Sequence, residues 1–257
     1  MNVIHSIRNR KAVESGKLFV GFLLAGYPDK QSFLDIIKGC DCAGIDVFEV
    51  GFPANDPFYD GEVIRSAQQK TDKNICRDID YWEKIRRATN KPIWLMGYRA
   101  DLIESGFYKI LASKHLVDAY IIPELTMKER IDMARELEPF GIDIMGFINP
   151  NQCSSEKRIC FENFSLVYQQ LYDGPTGMAV VTDDYKDLLE WALSYDHVYE
   201  FAGFGINSSA RAEELLTGGF HGVIIGSSMI CRLNESKDKL YEFTRELAAT
   251  VRKVNRS

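Results

Sequence analysis

Glu49 stands inside an apolar run, DVFEVGF (46–52), and Asp60 ends the loop that follows it, PANDPFYD. A carboxylate buried in such a strand is costly when charged, so it needs either an ion-pair partner or a chemical task. The strand itself holds no lysine or arginine, so a salt-bridge partner must come from another element. Without one, desolvation raises the pKa and the group holds a proton near neutrality. Alone, Asp60 before Gly61 reads as a turn residue. Paired with Glu49 over one site, it makes a two-carboxylate centre that can move protons on and off a substrate. Asp56, before Pro57, reads as a residue that fixes the loop.

A second constellation is rich in glycine and serine. AGFGINSSA (202–210) and IIGSSMI (224–230) each follow an apolar strand and precede a helix. Glycines there let backbone N–H groups approach an anion, and helix N-termini add positive dipole. Gly205, Gly226, Ser227 and Ser228 are the candidate phosphate-binding residues. DGPTG (173–177) adds Gly177. The plainer alternative is turn and N-cap chemistry, with Ser208 or Ser228 as caps.

These residues need a frame. Short apolar runs read as strands at 18–25, 46–52, 92–98, 117–123, 142–148, 166–172, 198–205 and 221–227. Amphipathic stretches between them, such as 29–44, 78–90, 100–115, 126–141, 155–165, 183–195 and 208–219, read as helices, and 237–254 as a closing one. Eight βα repeats in 257 residues predict an α/β fold, a (β/α)8 TIM barrel with an extra N-terminal helix closing its floor. An open doubly wound sheet is the competitor. The whole of 1–257 is expected to form one barrel domain.

In a barrel strand alternate residues point inward. Val47, Glu49 and Gly51 then face the interior, and Phe48, Val50 and Phe52 face the helices, which puts Glu49 near the C-terminal mouth where barrels keep their chemistry. Trp94 can face either way. Trp82 and Trp191 fall in helices, where packing is their default. The charged runs KERIDMARELE and KDKLYEFTRELAATVRKV read as solvated helix faces.

Composition narrows the function classes. Net charge is −6, so no basic field points to nucleic acid or to an anionic membrane surface. No apolar run is long enough to span a bilayer, and the polar start MNVIHSIRNRKAVESG is unlike a signal peptide. The six cysteines form no CxxC pair and the four histidines are scattered, so reduced thiols in a cytoplasmic protein are expected, with no metal site.

Together these residues resemble the alpha subunit of tryptophan synthase, over nearly the whole chain. EVGFPANDPFYDG (49–61) is the most specific piece, and FVGFLLAGYPD, VDAYIIP, GFINPN, PTG, GFGINSS and GSSMI follow in matching order. The resemblance implies retro-aldol cleavage of indole-3-glycerol phosphate to indole and glyceraldehyde 3-phosphate, with no cofactor and no metal. It implies that Glu49 acts as acid and base at the carbon and hydroxyl being cleaved. Asp60 then binds the indole N–H and stabilises the protonated ring. Phe22, Met96, Tyr98, Ile148 and Tyr168 line the indole and glycerol pocket, and Gly177, Gly205, Gly226 and Ser227 hold the phosphate.

The partner implied is a pyridoxal-phosphate beta subunit that receives the indole, facing Pro53 and the loop after the second strand. Several residues depart from the family pattern. Tyr172 replaces an arginine in YDGPTG, Ala100 replaces an asparagine that contacts the beta subunit, Glu124 replaces an aspartate, and GFINPN replaces a Cys-Pro-Pro run. The loop 173–182 is shortened, which bears on closure over the site. These departures point to a divergent member. Two alternatives follow: the same proton chemistry on another phosphorylated substrate, or a non-catalytic subunit that activates a partner.

Overall fold

The computed structural model describes residues 3–174, 176–177 and 185–256. In chain order the elements are α1 (Ile7–Glu14), β1 (Leu18–Leu24), α2 (Lys30–Ala43), β2 (Val47–Gly51), α3 (Glu62–Lys70), α4 (Ile79–Ala88), β3 (Ile93–Met96), α5 (Phe107–Ser113), β4 (Ala119–Ile121), α6 (Met127–Leu137), β5 (Asp143–Ile144), β6 (Gly146–Ile148), α7 (Ser154–Asn163), β7 (Leu166–Gln170), α8 (Tyr185–Leu193), β8 (Tyr199–Gly203), α9 (Ser209–Thr217), β9 (Gly222–Ile225), α10 (Ser227–Glu235) and α11 (Lys237–Val254). None of the described helices is long and apolar enough to cross a membrane.

All strand pairs are parallel, in the order β5-β4-β3-β2-β1-β9-β8-β7-β6. Only Met145 separates β5 from β6, so the two ends of that order share one position and the sheet closes into the eight-position barrel read from the sequence. Met145 leaves the ladder without orphaning its backbone. Its N–H donates to the Tyr120 carbonyl at 2.9 Å, and its carbonyl accepts from the Arg130 guanidinium at 2.9 Å. Arg130 also donates to the carbonyls of Ile122 and Leu125. It is therefore buried, and the reading of KERIDMARELE as a wholly solvated face is corrected at this residue. A guanidinium carries five N–H donors, enough to satisfy several carbonyls where a strand breaks.

Strand parity builds two apolar layers. Val20, Val47, Trp94, Phe147, Tyr168 and Phe201 pack inside the barrel. Phe48, Val50 and Phe52 pack outside, against the helices. Most helices fall where periodicity puts them. The stretch 100–115 is instead broken, because Gly106 takes a left-handed φ of 71° between an irregular turn and α5. The helix α3 went unread, since its apolar residues are few and close to the charged loop before it. It buries Ile64, Ala67 and Gln68.

The floor is closed by α1, as expected, and one residue does most of the joining. Asn9 is fully buried; its amide nitrogen donates to the Asp118 carbonyl at 3.0 Å and to the Asp143 carboxylate at 2.8 Å, and its oxygen accepts from the Trp94 indole at 2.8 Å. Asp143 also accepts from the His5 N–H, and Asp118 from the Ser6 hydroxyl and Arg86. Trp94 thus lies inside the barrel at its base, edge-on to Phe201. Removing Asn9 would leave the Trp94 indole N–H without an acceptor and take one donor each from the Asp118 carbonyl and the Asp143 carboxylate. Asn9→Ala should lower unfolding free energy by about 2–4 kcal/mol in urea titrations. A loss under about 0.5 kcal/mol would mean that α1 is held by its apolar contacts alone.

Candidate active site

Glu49 is the third residue of β2, in register with Phe22 of β1 and Trp94 of β3. Its carboxylate is buried at the barrel mouth, and no described residue gives it a hydrogen bond or an ion pair. Its pKa is raised to about 8, chiefly by desolvation and then by the charge of Asp60. Asp60 arrives by a turn in which its N–H donates to the Pro57 carbonyl at 3.0 Å. It too is buried, and desolvation raises its pKa to about 7, with Tyr98, Gln68 and Arg65 moderating the shift. The Tyr98 hydroxyl and Asp60 Oδ2 are both buried without completing a well-formed hydrogen bond. Asp56 does stay in the loop, its carbonyl accepting from the Phe58 N–H.

The two acids line one cavity of about 160 Å³, the scale at which an apolar protein cavity admits an aromatic ring. One arc of its wall is apolar and comes from β1, β3, β4 and the loop after it, β6 and β7: Phe22, Met96, Ile121, Pro123, Phe147 and Tyr168. Gly51 makes room for this arc, since a Cβ there would meet the Phe22 ring at 2.7 Å. Two expected residues lie elsewhere. Tyr98 stands beside Asp60, outside the wall. Ile148 belongs to the layer against the helices, because it is one residue out of phase, and Phe147 takes the inward position.

The opposite arc carries Gly177, Gly205, Gly226, Ser227 and Ser228. Among the described residues no lysine or arginine lines the cavity. What this arc offers an anion is backbone N–H and hydroxyl groups. The helix α10 starts at Ser227 with no side-chain cap, and the Ser227 hydroxyl is buried without a partner. Uncapped N–H groups and a free hydroxyl at a helix N-terminus suit a phosphate. A Cβ on Gly177 would lie 3.1 Å from the Ser227 hydroxyl, so these two loops touch.

Sequence reasoning missed several wall residues. Phe204 has a positive φ of 72°, unusual for an aromatic residue, and lines the cavity between Tyr168 and Tyr172. Thr176 ties the loop after β7 to the acidic loop: its hydroxyl accepts from the Gly61 N–H at 2.8 Å, and its N–H donates to the Tyr59 carbonyl at 3.4 Å. The signal for Thr176 was only its place beside Gly177.

Comparison with known proteins turns this geometry into an identity. A family model described as tryptophan synthase alpha chain matches residues 9–257. The chain belongs to the tryptophan synthase alpha chain family. The tryptophan synthase alpha chain of Caldicellulosiruptor bescii is 28% identical over 256 residues, covering 98% of this chain and 99% of that one. Among solved structures, a chain of Mycobacterium tuberculosis tryptophan synthase superposes with a TM-score of 0.85 at 24% identity, covering 96% of this chain and 99% of that chain. A chain from a structure concerning mutual activation of the tryptophan synthase a2b2 complex of Pyrococcus furiosus gives 0.79 at 25% identity, covering 91% and 99%.

Within this tryptophan synthase alpha chain family member, the departing residues gather near the mouth. Tyr172 is buried against Phe204 with ring centroids 5.8 Å apart. Glu124 accepts from the Arg99 N–H, while its second oxygen is buried and unpartnered. Ala100 lies exposed in the turn Arg99–Ile103. Of the loop 173–182, residues 175 and 178–182 lie outside the described residues.

The coupling of the two acids can be read directly. In Asp60→Asn the repulsive charge is gone, so the Glu49 carboxyl should titrate below about 8 yet above its ordinary 4.5, because burial remains the larger cause. Infrared or carbon NMR titration of the carboxyl reports this. An unmoved Glu49 titration would show that the pair is not coupled.

Proposed function

We propose that this chain cleaves indole-3-glycerol phosphate to indole and glyceraldehyde 3-phosphate by a retro-aldol reaction. The observation that carries the reading is one cavity holding two buried carboxyls with raised pKa values between an apolar wall and a glycine–serine cradle that no lysine or arginine lines among the described residues. The reacting form of the pair carries one proton, on Glu49, with Asp60 ionised. Protonated Glu49 gives its proton to C3 of the indole, which makes the ring an electron sink. Asp60 accepts the indole N–H and stabilises the positive charge that develops there. Glu49, now ionised, takes the proton of the glycerol hydroxyl next to the ring. The carbon–carbon bond breaks as the aldehyde forms, its electron pair returns to the ring, and Glu49 ends protonated as it began. Gly177, Gly205, Gly226 and Ser227 hold the phosphate, and Phe22, Met96, Phe147 and Tyr168 enclose the ring.

A beta subunit is the proposed recipient of the indole, docking at the loop around Pro53. Ala100 and the altered loop after β7 support only weak activation by an ordinary beta subunit, so a hundredfold rise on titrating one in would remove that inference.

Indole release from indole-3-glycerol phosphate tests the chemistry. Glu49→Gln should lose turnover by about 10²–10⁴-fold while still binding ligand, since an amide keeps the shape but shuttles no proton. Asp60→Asn should fall strongly in kcat as well, because its interaction strengthens as charge develops. In the wild type kcat/KM should fall below about pH 7, where both acids are protonated, and above about pH 8, where both are ionised. A drop below tenfold in Glu49→Gln would overturn its role. A wild type that binds phosphate esters yet releases no indole would favour another phosphorylated substrate.

The cradle is tested separately. A Cβ at Gly226 would meet nothing closer than 3.8 Å, so Gly226→Asp should fold. Its carboxylate would stand against the anion, and glycerol 3-phosphate should bind about a hundredfold more weakly by calorimetry. Gly226→Ala should bind far better than the aspartate variant, and equal affinity in the two would shift the phosphate elsewhere.

A further inference from the structure

We propose that Tyr59 is a specificity-determining residue, the outer wall against which the six-membered ring of the indole is measured; this rests on the substrate proposed above. Tyr59 lines the cavity between Phe58 and Asp60. From the solvent side it is braced by Phe58, whose ring lies 4.8 Å from Tyr59 and 5.0 Å from Tyr98. Its backbone is held by the Thr176 N–H on its own carbonyl, and by the neighbouring bond from the Gly61 N–H to the Thr176 hydroxyl. The ring therefore starts on the loop after β2 with little freedom at its root.

Burial raises the Tyr59 pKa, and the next causes are Glu124 and Asp173. Glu124 follows β4 and Asp173 follows β7, so the hydroxyl end lies in the field of two loops other than its own. Pro123, next to Glu124, lines the same cavity. Tyr59 and Pro123 thus share the wall of the cavity that holds the two acids.

Substrate orientation then follows from the two arcs. A phosphate in the glycine–serine cradle after β7, β8 and β9 directs the glycerol tail to that side. The acids fix the five-membered ring, and the free edge of the six-membered ring is left facing Pro123 and Tyr59. A substituent on that edge meets a braced aromatic wall. No described residue hydrogen-bonds the Tyr59 hydroxyl, so the ring rather than the oxygen sets the limit.

The test compares wild type, Tyr59→Phe, Tyr59→Ala and Tyr59→Val with indole-3-glycerol phosphate and its 6-chloro analogue. One extra group in an apolar pocket changes kcat/KM by about 10–200-fold. The ratio of kcat/KM for the chloro over the parent substrate should rise at least about tenfold in the alanine and valine variants. It should stay near the wild-type value in Tyr59→Phe, and glycerol 3-phosphate affinity should not change in any of them. A ratio unchanged in both small variants, or raised equally in Tyr59→Phe, would overturn the inference. If the wild type releases no indole from the parent compound, the reaction assignment fails by itself. The wall is then read from calorimetric binding of indole and 6-chloroindole, with the same ratio expected to rise and the same flat result overturning it.

Discussion

Among the described residues no cation stands beside Glu49 in its apolar barrel, and that uncompensated burial sets the terms for the rest of the molecule. A charged carboxylate there has lost its hydration, so the neutral form is favoured, and Asp60 adds repulsion on the same side. The barrel must stay shut at its base for this to hold. Water entering from below would restore the hydration and return the acid to its ordinary range. The plug of α1, with Asn9 bonded to Asp118, Asp143 and Trp94, therefore bears on the chemistry at the opposite end. The mouth faces the same requirement, met in part by Thr176 tying two loops together over the acids.

Much of this was legible in the sequence because period-two parity carries chemical information. Glu49 falls on the inward phase with Val47, so its direction follows once a barrel is granted. Glu200 shows why parity is needed. It is another acid in an apolar strand, VYEFAGFG, but Phe201 takes the inward phase and Glu200 faces outward, its two oxygens without hydrogen-bond partners among the described residues. Residue type alone would rank the two acids equally. The same logic explains the displaced Ile148: Met145 breaks the strand, Phe147 faces in, and the neighbouring residue falls on the helix side.

What stayed hidden depends on contacts distant in the chain or on local backbone conformation. Arg130 reads as one more charge on a solvated helix until the strand break supplies carbonyls for it to satisfy. Asn9 is a polar residue in a polar segment, and its three partners lie more than eighty residues away. The glycine–serine cradle was readable because its conformational needs are written in residue type. Tyr59 and Phe204 were not, since an aromatic residue in a loop carries no sign of which way it turns.

Phe204 joins two requirements that pull in opposite directions. Its left-handed backbone costs an L-residue with a bulky side chain about 1–2 kcal/mol, a cost that glycine would not incur. Yet its ring fills the wall between Tyr168 and Tyr172, where glycine would leave a gap into the cavity. A mutation to glycine relaxes the chain and opens the pocket in one step. At this position selection for a sturdier fold and selection for a tighter site are opposed, and the aromatic residue marks which of the two has prevailed.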